Sequence, residues 1–182
     1  MIRAVAVIGP PLSGVTALLS PYEDRIVRYE NEKCGPSFFV GGLDSCQQSH
    51  SKSRKPRIAS LRDASDAQDS SQGMWVVLDG FPYTPRQLYF LGECVELRGI
   101  VEVHMEPLLW ERRIQEIARQ HEACPCSFSR EAAIRRAEYE RGLKHLRPAC
   151  YKRPCPLVRV SNVPGSPSTQ QQLEIAITSL CR

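Results

Sequence analysis

Gly9, Gly14 and Thr16 stand at the spacing of a phosphate-binding loop, within Gly9-Pro10-Pro11-Leu12-Ser13-Gly14-Val15-Thr16. The signature is G-x-x-x-x-G-K-[ST], and only its lysine is missing, replaced by Val15. In such a loop backbone N–H groups hold phosphate oxygens, and the lysine adds a mobile positive charge. The residue types therefore predict a phosphate cradle that has lost its cation. Asp79 is a second chemical landmark, an acid that closes the apolar run Met74-Trp-Val-Val-Leu78 and precedes Gly80-Phe81-Pro82. Cys124-Pro-Cys126 with Cys150 and Cys155 invites a zinc reading. The spacings C-x-C and C-x4-C are not paired C-x2-C, so free cysteines are the expectation.

Those residues need a scaffold, and the pattern supplies one. Arg3 to Ile8 reads as a buried strand, and Gly14 to Ser20 opens a helix that Pro21 cuts short. Arg25 to Tyr29 reads as a second strand, and Ser37 to Val40 is a short apolar segment. Further strands are expected at Met74–Asp79, Ile100–Met105 and Leu157–Val160. Helices are expected over Pro85–Val95, Leu108–Gln120, Arg130–Leu146 capped by Ser129, and Thr169–Leu180. Pro148, Pro154 and Pro156 are expected to break the chain before the last strand, and Pro164 to Pro167 to turn it after. Strands alternating with helices predict a parallel sheet of five strands, with helices on both faces. No internal repeat is present.

Asp44 to Gly73 departs from that plan. It holds eight serines and no aromatic residue, so it cannot bury enough apolar area to offset chain entropy. It reads as a flexible insertion with a weak helix near Ile58 to Ala67. The chain as a whole is ordinary for one soluble domain, with 182 residues, 42% apolar and 24% charged. A net charge of +4 is too mild to imply nucleic acid. Between Leu108 and Arg153, however, eleven Lys or Arg stand against six acidic residues, which reads either as a surface that draws anions or as a solvated, Arg-rich helical face. No apolar run approaches the ~18 residues of a membrane span. Met1-Ile-Arg leads directly into the first strand, so no signal peptide, a reducing compartment and free thiols are the expectation.

The run Val76-Val-Leu-Asp79-Gly-Phe-Pro82-Tyr83-Thr84-Pro-Arg-Gln87 resembles the adenylate kinase and nucleoside monophosphate kinase family, which carries D-G-F-P-R-[ST] with a glutamine soon after. Gly9-Pro10-Pro11 opens as that family's loop does, and both motifs follow strands. Val101 to Arg112 and Glu131 to Arg136 resemble the family's fourth strand, the helix after it and the start of its long helix. The resemblance implies an adenylate-kinase-like fold over most of the chain. It also implies backbone donors to phosphate at Gly9, Ser13, Gly14 and Thr16, and Asp79 near magnesium and its waters. By the same resemblance Gln87 reads an acceptor base and Arg112 flanks a donor adenine, and Arg130, Arg135 and Arg136 clamp the transferring phosphates.

The departures from the family are heavy. Val15 replaces the lysine, Leu12 a loop glycine, and Tyr83 the arginine for the acceptor phosphate. The T-G-D-x-x-R element is absent, and the Ser-rich stretch stands where acceptor-binding helices belong. Phosphoryl transfer depends on positioning and charge neutralisation, so these losses fall on the chemistry itself. The expectation is an adenylate-kinase-like pseudoenzyme, a structural or interaction subunit with at most weak nucleotide binding. ATP with magnesium would then be held weakly or not at all. The partners expected are proteins of a larger assembly, cytoplasmic and of ciliary, flagellar or cytoskeletal type, with neither membrane nor nucleic acid. The alternative is a divergent, active ATP-dependent nucleoside monophosphate kinase.

Overall fold

A computed structural model describes residues 2–28, 75–120, 125–163 and 167–181. The Ser-rich stretch, the segment Ser37 to Val40 and the helix near Ile58 lie outside the described residues.

Apolar runs with β-branched residues give five strands: β1 (Arg3–Ile8), β2 (Ile26–Arg28), β3 (Trp75–Asp79), β4 (Glu96–His104) and β5 (Leu157–Ser161). They form one parallel sheet in the order β2-β3-β1-β4-β5. Side chains alternate across the sheet, so each strand feeds two cores. On one face Ala4, Ala6, Ile8, Leu78 and Ile100 pack against Leu88 and Leu91 of α2 (Pro85–Cys94) and Leu143 and Leu146 of α4 (Pro125–Lys152). On the other, Val5, Val7, Val77, Val101 and Val160 pack against Val15 of α1 (Val15–Leu18) and Leu173 and Ile177 of α5 (Pro167–Cys181). A third cluster joins Trp110 and Ile114 of α3 (Pro107–Gln120) to Met105 and Ala132.

Three elements differ from the sequence expectation. β4 begins at Glu96 rather than Ile100, because Glu96 and Leu97 pair with Arg3 and Ala4 before a bulge absorbs Arg98. α4 begins at Pro125, so Ser129 lies inside the helix and is not its cap. The same helix runs through Pro148 to Lys152. Proline forfeits one hydrogen bond there, but Leu146, Ala149 and Cys150 are buried beneath the helix, and that apolar contact keeps the helical path.

α1 is also shorter than expected. It is a single turn of four residues, and a 3-10 segment, Ser20–Arg25, follows with Pro21 at its start. Among the described residues no helix is long and apolar enough to cross a membrane.

Candidate functional site

β1 has β3 and β2 on one side and β4 and β5 on the other. Its carboxyl end is thus where open parallel sheets leave a ligand crevice. The loop Gly9–Gly14 starts there. Asp79 arrives beside it because β3 pairs with β1 in register, Val7 opposite Asp79, and Gly80 N–H donates to Val7 O at 2.9 Å. Thr16 Oγ1 donates to Asp79 Oδ2 at 3.2 Å, so the two chemical landmarks of the sequence meet.

The start of the loop is tightly packed by the loop's own side chains. A Cβ built on Gly9 would lie 2.5 Å from Ser13 Oγ and 2.6 Å from Val15 Cγ2. Ser13 and Val15 therefore turn back onto the start of the loop, and both are buried, Val15 to 8% exposure. Ser13 N–H donates to Pro10 O at 3.0 Å, which removes one donor from any phosphate. Leu12 takes a φ of 65°, the left-handed region that suits glycine. A residue with a Cβ is strained there by ~1–2 kcal/mol. Leu12 keeps its place by packing against the Met105–Trp110 cluster. Gly14 is also left-handed, at φ 78°.

Two distant side chains brace this loop. Trp110 Nε1–H donates to Pro11 O at 2.7 Å, and Asn162 Nδ2 donates to Ser13 O. The Arg136 guanidinium lies 4.5 Å from the centroid of the Trp110 ring. Trp110, buried in the core, therefore also holds the loop.

The resemblance-derived residues divide. Asp79 and Thr16 are together, with Gly9, Ser13 and Gly14 in the same loop. Arg112 is exposed on α3, and it is Arg113 that reaches the loop. Its Nη2 and Nη1 would lie 3.4 and 3.6 Å from a Cβ built on Gly14. A shift of one residue in helical phase separates the two, and the buried positions Trp110, Ile114 and Ala118 fix that phase.

Gln87 directs its carbonyl oxygen back to the helix start. Oε1 accepts from Tyr83 N–H at 2.7 Å and Thr84 N–H at 3.0 Å, while Gln87 N–H donates to Thr84 Oγ1. This is a capping box for α2. Tyr83 packs edge-on against Tyr139 with ring centroids 5.8 Å apart, and its hydroxyl folds over Gly80.

On α4, Arg130 is exposed. Arg135 pairs with Glu131 at 2.6 Å and Arg136 with Glu140 at 2.8 Å. Cys150 and Cys155 are buried free thiols. The hydrogen bond between them, then burial, pushes the Cys155 thiol up, and the same bond lowers Cys150. Cys124 lies outside the described residues, and among those described no three His, Cys, Asp or Glu converge on a metal position.

A buried charge, Glu102, also escaped the sequence reading. Glu102 is 2% exposed in the middle of β4, and Arg147 donates to both its oxygens at 2.8 and 3.0 Å. The signal was available, since an acid inside an apolar run of a parallel strand has both faces of the sheet buried around it.

The fold and loop place the chain among α/β proteins with a parallel sheet, helices on both faces and a glycine loop after β1. No model of a known protein family matches it, and no match is found among curated proteins.

Proposed function

We propose that the chain is an adenylate-kinase-like protein with a degenerate active site, serving as a non-catalytic structural or interaction subunit. The observation that carries this reading is Val15 turned back onto Gly9, at the position where a phosphate loop needs a lysine. ATP and magnesium fit only in part. Thr16 and Asp79 are the residue types that hold magnesium and its waters. The loop offers a triphosphate less than the full signature does, because Val15 stands in place of the lysine with its side chain packed on Gly9, and Ser13 N–H serves Pro10. α1 is one turn long, so its macrodipole adds little for an anion. On the acceptor side the carbonyl of Gln87 caps its helix, and Tyr83 offers a ring where a cation is needed. The basic surface of α4 then serves as a docking face for protein partners in a cytoplasmic assembly.

One observation favours the second reading, a divergent active kinase: Arg113 brings a guanidinium to the loop at Gly14. A coupled turnover assay with ATP, magnesium and each nucleoside monophosphate separates the two. The structural reading expects no turnover above background and ATP binding no tighter than millimolar. Turnover at an enzyme-like rate, ~1 per second or faster, that disappears in Arg113→Ala would overturn it.

A further inference from the structure

Beside the loop, between α4 and the β4–β5 edge, lies a cavity of about 550 Å³ that shares only Pro10 with the loop. Glu102 and Arg159 are register partners on the two strands, and Arg159 Nη2 stands 3.4 Å from Glu102 Oε1. Arg147 reaches the same carboxylate from α4. One buried carboxylate thus gathers two guanidinium groups. Lys144, exposed one turn earlier on the helix, adds a further cation to the lining. In all, four Lys or Arg, namely Arg136, Lys144, Arg147 and Arg159, line the cavity against two carboxylates, Glu102 and Glu140, an excess of two.

Tyr139 provides a separate observation. It lines the cavity and is only 8% exposed, yet its hydroxyl has no hydrogen-bond partner among the described residues. Buried hydroxyl groups are nearly always satisfied, and an exception calls for a missing partner. After burial, the groups that act on that hydroxyl are Glu102, Tyr83, Arg147 and Arg159, so it sits beside the same ion cluster. A structural ion triad would account for Glu102 and its arginines. It would not account for an orphaned donor beside an open volume with surplus positive charge.

We propose that this cavity binds a small phosphomonoester that carries an apolar body. The excess of two positive charges matches a phosphate dianion, and guanidinium forks suit its oxygens. Tyr139 Oη–H donates to a phosphate oxygen. Lys144 and the remaining N–H groups of Arg147 and Arg159 neutralise the charge. Met105 and Leu143 cover the apolar part, as in most small-molecule sites.

Titration calorimetry of the full chain with phenyl phosphate tests this. The expected result is saturable one-to-one binding tighter than ~1 mM, and at least about tenfold weaker binding of inorganic phosphate. Tyr139→Phe should weaken phenyl phosphate ~5- to 10-fold without lowering Tm, because the hydroxyl it removes has no partner. Lys144→Glu, at an exposed position, should weaken it further. Absence of saturation at about 10 mM overturns the proposal. So does equal binding by both variants, or equal binding of phenol, which lacks the charge. Competitive displacement by ATP would place the ligand in the loop instead and also overturn it. The kinase assay is independent, so failure here leaves the reading of the loop untouched.

Discussion

Restoring the lysine by Val15→Lys sets the packing of the loop against its chemistry. Val15 is almost fully buried, and its Cγ2 closes on Gly9. Removing that side chain from the core costs about 2 kcal/mol. The new ammonium can extend along its stem to water, so the penalty for a buried charge does not apply in full. For a chain of this size the loss lowers Tm by about 4–8 °C. With ATP present the ammonium gains a charge-assisted bond to phosphate, ~1.5–3 kcal/mol, and affinity rises roughly tenfold to a hundredfold. Ligand then returns the lost stability by linkage.

Val15→Ala separates the two effects. It opens the loop and loses similar stability but adds no cation, so its affinity for ATP stays below that of Val15→Lys. The assay is thermal unfolding across an ATP titration for all three proteins. If Val15→Lys melts with the wild type in the absence of nucleotide and binds ATP no better, Val15 is neither plugging nor disabling the loop, and the argument fails.

Two other outcomes are expected. Gly142→Ala places a Cβ 2.6 Å from the Tyr83 carbonyl oxygen, a backbone atom that cannot yield cheaply. Denaturant unfolding should show a loss of ~1–3 kcal/mol, whereas a neutral result would mean that α4 does not press on the β3–α2 turn. Burial, then Glu102, raises the Tyr139 pKa above its ordinary 10.0. The folded state therefore holds the proton after the unfolded chain has released it. This contribution is complete below pH 10 and is lost as pH rises beyond. Tyr139→Phe should show a shallower alkaline loss of stability between pH 9 and 11, about 10 being the pKa of an ordinary tyrosine. Equal slopes would remove Tyr139 from the account.

The strands and the inward faces of α2, α3 and α5 were legible because apolar residues recur at the period of each element. Leu88 and Leu91, or Leu173 and Ile177, declare a buried stripe without any tertiary knowledge. The ends of α4 were not legible. Local chemistry argues for a cap at Ser129 and a break at Pro148, and tertiary burial of Leu146, Ala149 and Cys150 overrides the second. The meeting of Thr16 and Asp79 followed from two motifs, each at a strand end. The approach of Arg113 to the loop did not, because motif matching does not register helical phase to one residue. The collapse of Val15 onto Gly9 is a packing outcome, and no spacing rule contains it.

The two braces of the loop also bear on the order of assembly. Pro11 is tied to Trp110 and Ser13 to Asn162, partners 99 and 149 residues away along the chain. Such bonds close only after long stretches of chain have been brought together, which makes them late, high-contact-order events. The loop lies near the start of the sequence but reaches its final shape only when the segment after β5 docks. A nascent chain emerging amino end first thus holds an unfinished loop until the segment after β5 has been made.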